Sequence, residues 1–282
     1  MSNAQYIKSI SKAVTILKIF TAQEPELTLA QIARKARMHK STAHRILATL
    51  VRDGLICKDM VSDKYSIGHT LFTLGSLYLE TAQLIRSIEP VIDELNELTG
   101  ESILASVLEG CNITIIAKRE TRNAFKFSTN VGTVIPAYTT AQGKILLSEL
   151  SEKELDRLVP YEKLFQFTPQ SIPTKAELKS QLEQVRKAKV AYSFEEYLIG
   201  AVGIASGIRD DSGKYVAAIG IATLPSKSNE EYTFHLAALI KIGASFISYQ
   251  LGYRGEADSI SDIKMIRSWW ENLSDVVSSA RG

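Results

Sequence analysis

The segment KSTAHRILATLVRDG, residues 40–54, determines the fold of the N-terminal part of this sequence. Its apolar residues recur three and four positions apart, which predicts an amphipathic helix from about Ser41 to Arg52. These apolar positions are Ala43, Ile46, Leu47 and Leu50. Asp53-Gly54 ends the helix, because glycine readily adopts the left-handed conformation that follows helix C-termini. The opposite face of this helix is polar and basic.

A shorter helix precedes this segment, and a hairpin follows it. Thr28 and Gln31 have the spacing of a capping box, which predicts that the shorter helix begins there. An amphipathic helix is predicted at 9–21, before both, with Ile10, Val14 and Leu17 on its apolar face. Downstream, strand-like runs at 55–58 and 64–67 flank a polar loop. Two helices joined by a tight turn and followed by a hairpin are typical of a winged helix-turn-helix.

The exposed face of the helix at 41–52 has the chemistry of a DNA-binding surface. The helix N-terminus and Ser41 suit a phosphate group. Thr42, His44 and Arg45 are placed to reach base edges in the major groove. Lysines of the hairpin are expected to contact the DNA backbone or the adjacent minor groove. The predicted DNA-contacting residues are Lys40, Ser41, Thr42, His44, Arg45, Thr49, Lys58 and Lys64. A solvated basic helix has the same composition and is the alternative interpretation.

Charge is distributed unevenly along the chain, which has 282 residues and a formal net charge of +2. Residues 1–70 hold 11 Lys and Arg against 5 acidic residues, whereas the remainder holds 22 bases and 26 acids. A basic head on an acidic body is typical of a polyanion-binding module joined to a second unit. At about 100–200 residues per domain, the length allows two domains.

Several classes of protein are disfavoured by what the sequence lacks. Cys57 and Cys111 are too few for a disulfide framework, and the four histidines have no metal-binding spacing. No GxSxG, phosphate-loop or dinucleotide-binding motif is present, so we expect neither an enzyme nor a cofactor. No apolar run approaches the roughly 18–20 residues that span a bilayer, and no signal peptide is recognisable. We therefore expect a cytoplasmic protein that does not contact membranes.

The sequence beyond the hairpin alternates between helices and strands. A connecting helix is predicted at 69–85, and a further helix at 90–99 begins with a proline. The predicted strands are 102–108, 113–118, 202–209 and 215–223. The predicted capping boxes are Ser151/Glu154, Thr174/Glu177 and Ser228/Glu231. Hairpin-connected strands with segregated helices predict an α+β domain around an antiparallel sheet.

The segment 135–144 is the candidate ligand site of this second domain. Its small polar residues lead into a helix, whose free N–H groups and positive dipole end would hold a carboxylate. An ordinary helix start has the same pattern and is the alternative. Glu195-Glu196 resembles an acid–base pair, but neighbours on a strand face opposite sides, which favours a solvated or structural role. Glycine and alanine at 201–207 and 220–222 are compatible with either a cavity or a tight helix contact.

These motifs closely resemble those of IclR-type transcriptional regulators, named for the isocitrate lyase regulator. In the N-terminal half the likeness rests on residues 41–50, Asp53-Gly54-Leu55 and residues 65–68. In the C-terminal half it rests on Gln142-Gly143-Lys144, Glu195-Glu196 with Gly200, Ile204-Ala205 and residues 215–225. The similarity covers about residues 9–252, in the family's order.

The resemblance implies a winged helix-turn-helix at 1–68, a linker helix at 69–85 and a GAF-like effector-binding and oligomerisation domain at 86–252. A polar tail at 253–282 follows, with one apolar cluster, Trp269-Trp270, that has no predicted role. The resemblance also implies a dimer held by N-terminal helices, often paired into a tetramer, on a palindromic operator in double-stranded DNA. A small organic acid is the implied effector. Its site would comprise Phe127, Ile135, Ala141, Gln142, Ala201, Gly203, Gly220 and Ala222, with Glu195 at the rim.

The chain departs from family members that bind very small keto acids. They have Gly-Ala where this chain has Ala141-Gln142, Cys at the position of Gly203, and Ser at the positions of Gly220 and Ala222. Replacing three polar side chains by Gly or Ala predicts a roomier and less polar pocket. The predicted ligand is therefore a larger acid, such as an aromatic or ring-cleavage carboxylate, with the Gln142 amide contributing.

The leading prediction is a DNA-binding transcriptional regulator whose operator binding is controlled by a small organic or aromatic carboxylate. Effector binding would change operator binding only to the extent that the effector binds two states of the protein with different affinities. The alternative is an effector-independent DNA-binding regulator whose C-terminal domain only oligomerises. DNA binding that never changes with any metabolite would favour that alternative.

Overall fold

The N-terminal unit, Met1–Ala82, and the C-terminal unit, Gln83–Gly282, each have their own internal contacts in this computed structural model. The structure describes residues 7–21, 23–81, 83–121, 129–255 and 263–279. The helices of the N-terminal unit are α1 (Lys8–Lys18), α2 (Leu29–Lys35), α3 (Lys40–Arg52) and α4 (His69–Thr81). Its strands are β1 (Glu26–Thr28), β2 (Ile56–Lys58) and β3 (Lys64–Ile67).

The predicted winged helix-turn-helix is confirmed in the N-terminal unit. Thr28 and Gln31 form the predicted capping box at the start of α2. Gly54, directly after α3, has a φ of +70°, as the left-handed position requires. Ile32 of α2 and Leu47 of α3 are fully buried in one apolar cluster with Ile16 of α1. This shared core fixes α3 with its polar face directed outward.

Two features of this unit differ from the prediction. Strand β1 was not predicted; Leu27 pairs with Tyr65 of β3, and both side chains are buried, so the wing sheet has the order β1-β3-β2. The apolar face predicted for the first helix is wrong in part. Ile10 and Val14 are 59% and 43% exposed, because α1 packs through Ile16 instead.

The C-terminal unit is built on a six-stranded sheet with the order β6-β5-β4-β9-β8-β7. All its strand pairs are antiparallel, which confirms the predicted α+β class. Its strands are β4 (Ser102–Glu109), β5 (Asn112–Arg119), β6 (Val134–Pro136), β7 (Ala191–Phe194), β8 (Val202–Arg209) and β9 (Tyr215–Thr223). Its helices are α5 (Gln83–Thr99), α6 (Ala141–Ser148), α7 (Glu152–Leu158), α8 (Lys175–Ala188), α9 (Glu230–Gln250) and α10 (Lys264–Ser279).

Helices cover both faces of this sheet. On one face, α5 and α9 bury Ile92 and Ile240 against strand residues such as Ile204. On the other face, α6 and α8 pack Ile145 and Leu178 against a separate cluster. Alternate residues of β8 and β9 therefore point into two different cores, as the two-residue period of a strand dictates. None of the helices in the described ranges is both long and apolar enough to cross a lipid bilayer.

Three predictions for this unit need correction. The helix predicted to begin at Pro90 begins at Gln83, because burial of Ile85 and Ile88 against the core outweighs the one hydrogen bond that an internal proline removes. At α9 the cap is Asn229, not Ser228: Asn229 Oδ1 accepts a hydrogen bond from the Tyr232 N–H at 2.8 Å.

The third correction concerns the end of the chain, which is not simply a polar tail. Helix α10 buries Ile266 completely, and Trp269 and Trp270 pack against the same core cluster as α5 and α9. Arg267 of α10 donates to both carboxylate oxygens of Glu94 on α5, at 2.7 and 3.1 Å. The two tryptophans therefore help attach this helix to the C-terminal unit.

Candidate functional site

The polar face of α3 is open to solvent in the N-terminal unit. Ala43, Leu47 and Leu50 are buried, while the residues predicted to contact DNA lie on the other side. Lys40, Ser41, His44, Arg45 and Thr49 are exposed and Thr42 is half-buried. No side chain caps the first turn of α3, so its N–H groups remain available to an anion.

The cations of α3 differ in their pairing. Arg52 donates to the neighbouring Asp53 at 2.9 Å. In the described ranges no acidic group pairs with Lys40 or Arg45, so positive charge is uncompensated in the first two turns. An uncompensated cation can release counterions from a nucleic-acid backbone or bind a base edge without first breaking an ion pair.

A groove of about 360 Å³ runs between α1 and α3. Thr42, Arg45 and Thr49 line it from α3, and Lys12 with Ser9 lines it from α1. Sequence reasoning missed Lys12, since attention to the recognition helix alone gives no reason to choose a lysine on another helix. The exposed pair Lys8 and Lys12, four residues apart on α1, was the available signal.

The wing lysines already have acidic partners. Lys58 Nζ lies 2.6 Å from Asp63 Oδ1, and Lys64 Nζ lies 3.4 Å from Glu26 Oε2. Asp59 fixes the loop between them by accepting hydrogen bonds from the N–H groups at 61 and 62, which lower the pKa of its carboxyl. A DNA phosphate would have to compete with these carboxylates for the two lysines.

Helix α6 begins against the sheet in the C-terminal unit. Thr140 accepts a hydrogen bond from the Gly143 N–H at 3.0 Å. Within the described residues, no hydrogen bond uses the N–H groups of Ala141 or Gln142. Glycine is needed at 143 because a Cβ there would overlap the backbone of Ala137. The two unused N–H groups and the positive end of the helix dipole together favour an anion.

Small residues of β8 and β9 lie directly under this helix start. A Cβ added at Gly203 would lie 3.5 Å from the Ala141 Cβ, which is an ordinary contact. A Cβ added at Gly220 would lie only 2.8 Å from Gln142 Cδ. The prediction of extra room over Gly220 is therefore wrong for this conformation, because the flexible Gln142 side chain fills that space.

Three other predicted ligand-site residues are Ala222, Ala201 and Glu195. Ala222 is paired in register with Gly203 and is half-buried, as is Ala201 directly before β8. Glu195 has a φ of +56°; its N–H donates to the Ala201 carbonyl at 2.8 Å and its Oε1 accepts from the Gly200 N–H at 2.6 Å. Ala222 therefore lies beside Gly203, which faces Ala141 of α6, whereas Glu195 and Ala201 are bonded to each other in the segment between β7 and β8.

Two further predicted residues are not shown beside the unused N–H groups of α6. Ile135 lies on the edge strand β6, with β5, β4 and β9 between it and β8. Its side chain is buried in the apolar cluster under α6. Phe127 lies outside the residues that the structure describes. Neither residue is therefore shown beside the unused N–H groups of α6.

Behind the α6 start lies a buried ion pair that sequence reasoning missed. Lys144 Nζ lies 2.7 Å from Glu196 Oε1 and 3.0 Å from Gln181 Oε1, and its side chain is 2% exposed. Burial lowers the pKa of the Lys144 ammonium and raises the pKa of the Glu196 carboxyl, while their mutual attraction opposes both shifts. Glu196 thus has the structural role favoured for the acidic pair, and it connects α6 to the loop after β7.

The comparisons with known proteins agree with this arrangement. Residues 76–249 match the family description "Bacterial transcriptional regulator IclR C-terminal", and residues 9–59 match "IclR helix-turn-helix domain". The chain belongs to the IclR family. It is a DNA-binding transcriptional regulator of that family and not an enzyme.

Similar proteins are found along nearly the whole chain. The HTH-type transcriptional regulator KdgR of Escherichia coli K12 is 29% identical over 258 residues, covering 90% of this chain and 98% of its own length. The crystal structure of Thermotoga maritima IclR is 27% identical with a TM-score of 0.67, covering 88% and 100% of the two chains. An IclR homolog from Microbacterium hydrocarbonoxydans, solved in complex with 4-hydroxybenzoate, is 21% identical with a TM-score of 0.75, covering 86% and 98%.

Proposed function

We propose that this IclR-family regulator binds an operator through α3 and the wing, and that a small organic acid bound at the start of α6 controls this binding. The observation that carries the proposal is the pair of unused N–H groups at Ala141 and Gln142, which face the small residues of β8 and β9. We infer that the protein acts in the cytoplasm, where bacterial DNA lies. The effector moves the protein between states only by binding one of them more tightly.

In the DNA-binding unit, Thr42, His44, Arg45 and Thr49 reach base edges in the major groove, and Lys40 with Ser41 binds a phosphate. Lys40, Ser41, His44, Arg45 and Thr49 are exposed, and among the described residues no acidic group pairs with Lys40 or Arg45, which supports these roles. Lys58 and Lys64 exchange their carboxylate partners for DNA phosphates on the wing. Lys12, on the groove that Arg45 also lines, adds a further positive charge at the same surface.

Self-association as a dimer or tetramer on a palindromic operator is supported by the free face of α1. Ile7, Ile10 and Val14 are 63%, 59% and 43% exposed and recur at helical spacing. A row of exposed apolar residues on a helix is stabilised when a partner covers it. A two-fold dimer through this face would present two α3 helices to two symmetric half-sites.

For the ligand we infer an organic carboxylate, including aromatic acids, whose carboxylate binds the N–H groups at the start of α6. The 4-hydroxybenzoate complex of the Microbacterium homolog supports an aromatic acid as the first candidate. Gly203, Ala201 and Ala222 border the ligand, with Glu195 at the rim. The Gln142 side chain turns away from Gly220 to admit it and places its amide beside the ligand.

The effector-independent alternative is favoured by one observation, namely that Gln142 fills the space over Gly220. In that case the α6 start would be a packing contact, and the C-terminal unit would only hold the assembly together. A direct binding experiment separates the two functions.

The experiment is calorimetric titration of the full chain with 4-hydroxybenzoate and, separately, with pyruvate. We expect saturable binding of the aromatic acid in the wild type and at least about tenfold weaker binding in Gly203→Ala, whose new methyl group would occupy ligand space. Gly203→Ala should fold normally, because its Cβ meets nothing closer than 3.5 Å.

The matched control is Gly75→Ala on α4, since a Cβ at Gly75 meets no atom within 4 Å. It should leave binding unchanged. Binding of pyruvate alone would restrict the ligand class to very small acids. The absence of binding across aliphatic, keto and aromatic carboxylates would favour the effector-independent alternative.

A further inference from the structure

The loop at the tip of the wing hairpin carries two adjacent apolar side chains that are almost completely exposed. Met60 is 87% exposed and Val61 is 98% exposed, the highest values of any large apolar side chain in the described residues. Single exposed apolar residues are common on protein surfaces and need no explanation. Two neighbours at the tip of a hairpin form a narrow apolar projection, which can enter a space that is closed to a flat surface.

Hydrogen bonds hold this tip in a fixed shape. Asp59 Oδ1 accepts hydrogen bonds from two N–H groups of the loop, at 2.6 and 2.9 Å. The backbone closes the loop below the tip, since the Asp59 N–H donates to the Lys64 carbonyl at 2.9 Å and the Asp63 N–H donates to the Asp59 carbonyl at 3.0 Å. Met60 and Val61 are therefore presented on a loop that loses little conformational freedom when it binds a partner.

The strands below the tip are fixed to the helix that carries the predicted DNA contacts. Ile56 of β2 and Tyr65 of β3 are buried in the same apolar cluster as Leu47 and Leu50 of α3. Because this core is shared, the tip and the polar face of α3 keep a set spacing within the N-terminal unit. The tip should therefore reach the same part of a duplex whenever α3 is bound to it, an inference that rests on the DNA-binding role proposed above.

The charges around the tip are balanced. Lys58 and Lys64 flank it, and so do Asp59 and Asp63. Lys58 pairs with Asp63, and Lys64 pairs with Glu26. The segment from 58 to 64 thus has no surplus of positive charge with which to attract phosphate groups. Whatever the tip itself adds to DNA binding must come from apolar contact.

DNA offers an apolar side chain few places to bind. In the major groove the thymine methyl group is the main one. The flat faces of the bases become accessible when a side chain separates two stacked base pairs, and proteins that insert apolar residues in this way, methionine among them, do so from the minor groove and kink the duplex. Pyrimidine–purine steps unstack most easily, so insertion favours them.

We propose that Met60, supported by Val61, inserts from the minor groove between two base pairs of the operator and bends the duplex. The site of insertion is a pyrimidine–purine step next to the bases that α3 contacts. Lys58 and Lys64 bind the phosphates on either side of this step after exchanging their carboxylate partners. The wing in this way selects operators by how easily they deform, in addition to the bases that α3 contacts.

The insertion is tested with the full chain and a duplex, selected from random DNA, that carries a fluorescent dye at each end. Energy transfer between the dyes should rise when the wild type binds, because bending brings the two ends closer together. The double variant Met60→Ser, Val61→Ser should bind the same duplex with at most about half of this rise. It should unfold at the same urea concentration as the wild type, because water already surrounds both side chains in the folded protein.

The matched control is Val131→Ser, which shortens an apolar side chain that is 55% exposed in the C-terminal unit. It should bend the duplex as the wild type does. Replacing the pyrimidine–purine step beside the α3 site by a stiff A-tract should weaken wild-type binding about fivefold and leave the double variant nearly unaffected.

Three results would overturn the insertion. An equal rise in energy transfer for the wild type and the double variant, or no rise with the wild type, would do so while specific binding through α3 still stands. A different oligomeric state of the double variant in the absence of DNA would show that the tip is a contact between copies of the chain instead. The absence of specific binding to any duplex would overturn both the insertion and the proposed function.

Discussion

Helices α3 and α6 are both short, and each begins with unused N–H groups, but their environments are opposite. Helix α3 has a largely exposed polar face whose Lys40 and Arg45 have no acidic partner in the described residues. In α6 every residue except Gln142 is buried, and its one cation, Lys144, is paired with Glu196. Helix α3 is therefore accessible to a polyanion from solvent, whereas α6 is part of the core.

This difference predicts how each helix tolerates substitution. An exposed cation contributes to binding and little to folding, because water solvates it in the free protein. A buried ion pair behaves differently, since removing one partner leaves an uncompensated charge in the core. Substitutions of buried α6 residues should therefore affect the free energy of unfolding, while those on the exposed polar face of α3 should affect DNA affinity at unchanged stability.

The largest effect is expected for Lys144→Ala. It leaves Glu196 buried without its cation, and the expected loss is about 3–5 kcal/mol of unfolding free energy. Urea unfolding of the full chain measures it. The surface pair Lys179–Asp156, 3.0 Å long, provides the control: Lys179→Ala should cost at most about 1 kcal/mol. The double variant Lys144→Met, Glu196→Leu should recover most of the lost unfolding free energy. Equal stability of Lys144→Ala and wild type would contradict the difference drawn between α3 and α6.

A smaller effect is expected for Arg45→Ala on DNA binding. Loss of a bidentate base contact should cost about 1–3 kcal/mol of specific affinity for an operator selected from random DNA, without changing stability. Fluorescence anisotropy with specific and scrambled duplexes measures it. Arg52→Ala, which removes a cation already paired with Asp53, should lose much less. Unchanged specific binding by Arg45→Ala would remove this residue from the interface.

The smallest effect is expected for the wing lysines. Lys58→Ala or Lys64→Ala should weaken binding to all sequences alike and reduce the slope of log affinity against log salt by about 0.9 each. The loss should be modest because each lysine gives up a carboxylate partner when it binds phosphate. Titrations at several salt concentrations measure the slope. A sequence-dependent loss would show that the wing reads bases instead.

The two helices also show what sequence can and cannot predict. The spacing of apolar residues and the turn residues were sufficient to predict α3, the left-handed conformation of Gly54 and the hairpin of β8 and β9. The pair Lys144–Glu196 joins residues that are 52 positions apart, and no local pattern identifies such partners. The same holds for β1, whose three residues gain strand structure only by pairing with β3.

At the candidate ligand site the sequence did not indicate how much space lies between the elements. Glycine at both 203 and 220 predicts room for a larger ligand. The structure separates them, because Gly203 faces Ala141 at an ordinary contact distance while Gln142 lies over Gly220. Whether a long side chain fills a gap depends on its rotamer, which a residue-by-residue comparison of sequences does not contain.

The measurement that tests the central claim most directly is operator binding by the full chain with and without an organic acid. A duplex selected from random DNA would be titrated by anisotropy in the absence and presence of saturating 4-hydroxybenzoate and related carboxylates. The account predicts that at least one acid changes the dissociation constant about fivefold or more, and that Gly203→Ala reduces this change. An affinity that is the same with every acid, while the duplex remains specifically bound, would contradict effector control and leave a regulator whose C-terminal unit serves assembly alone.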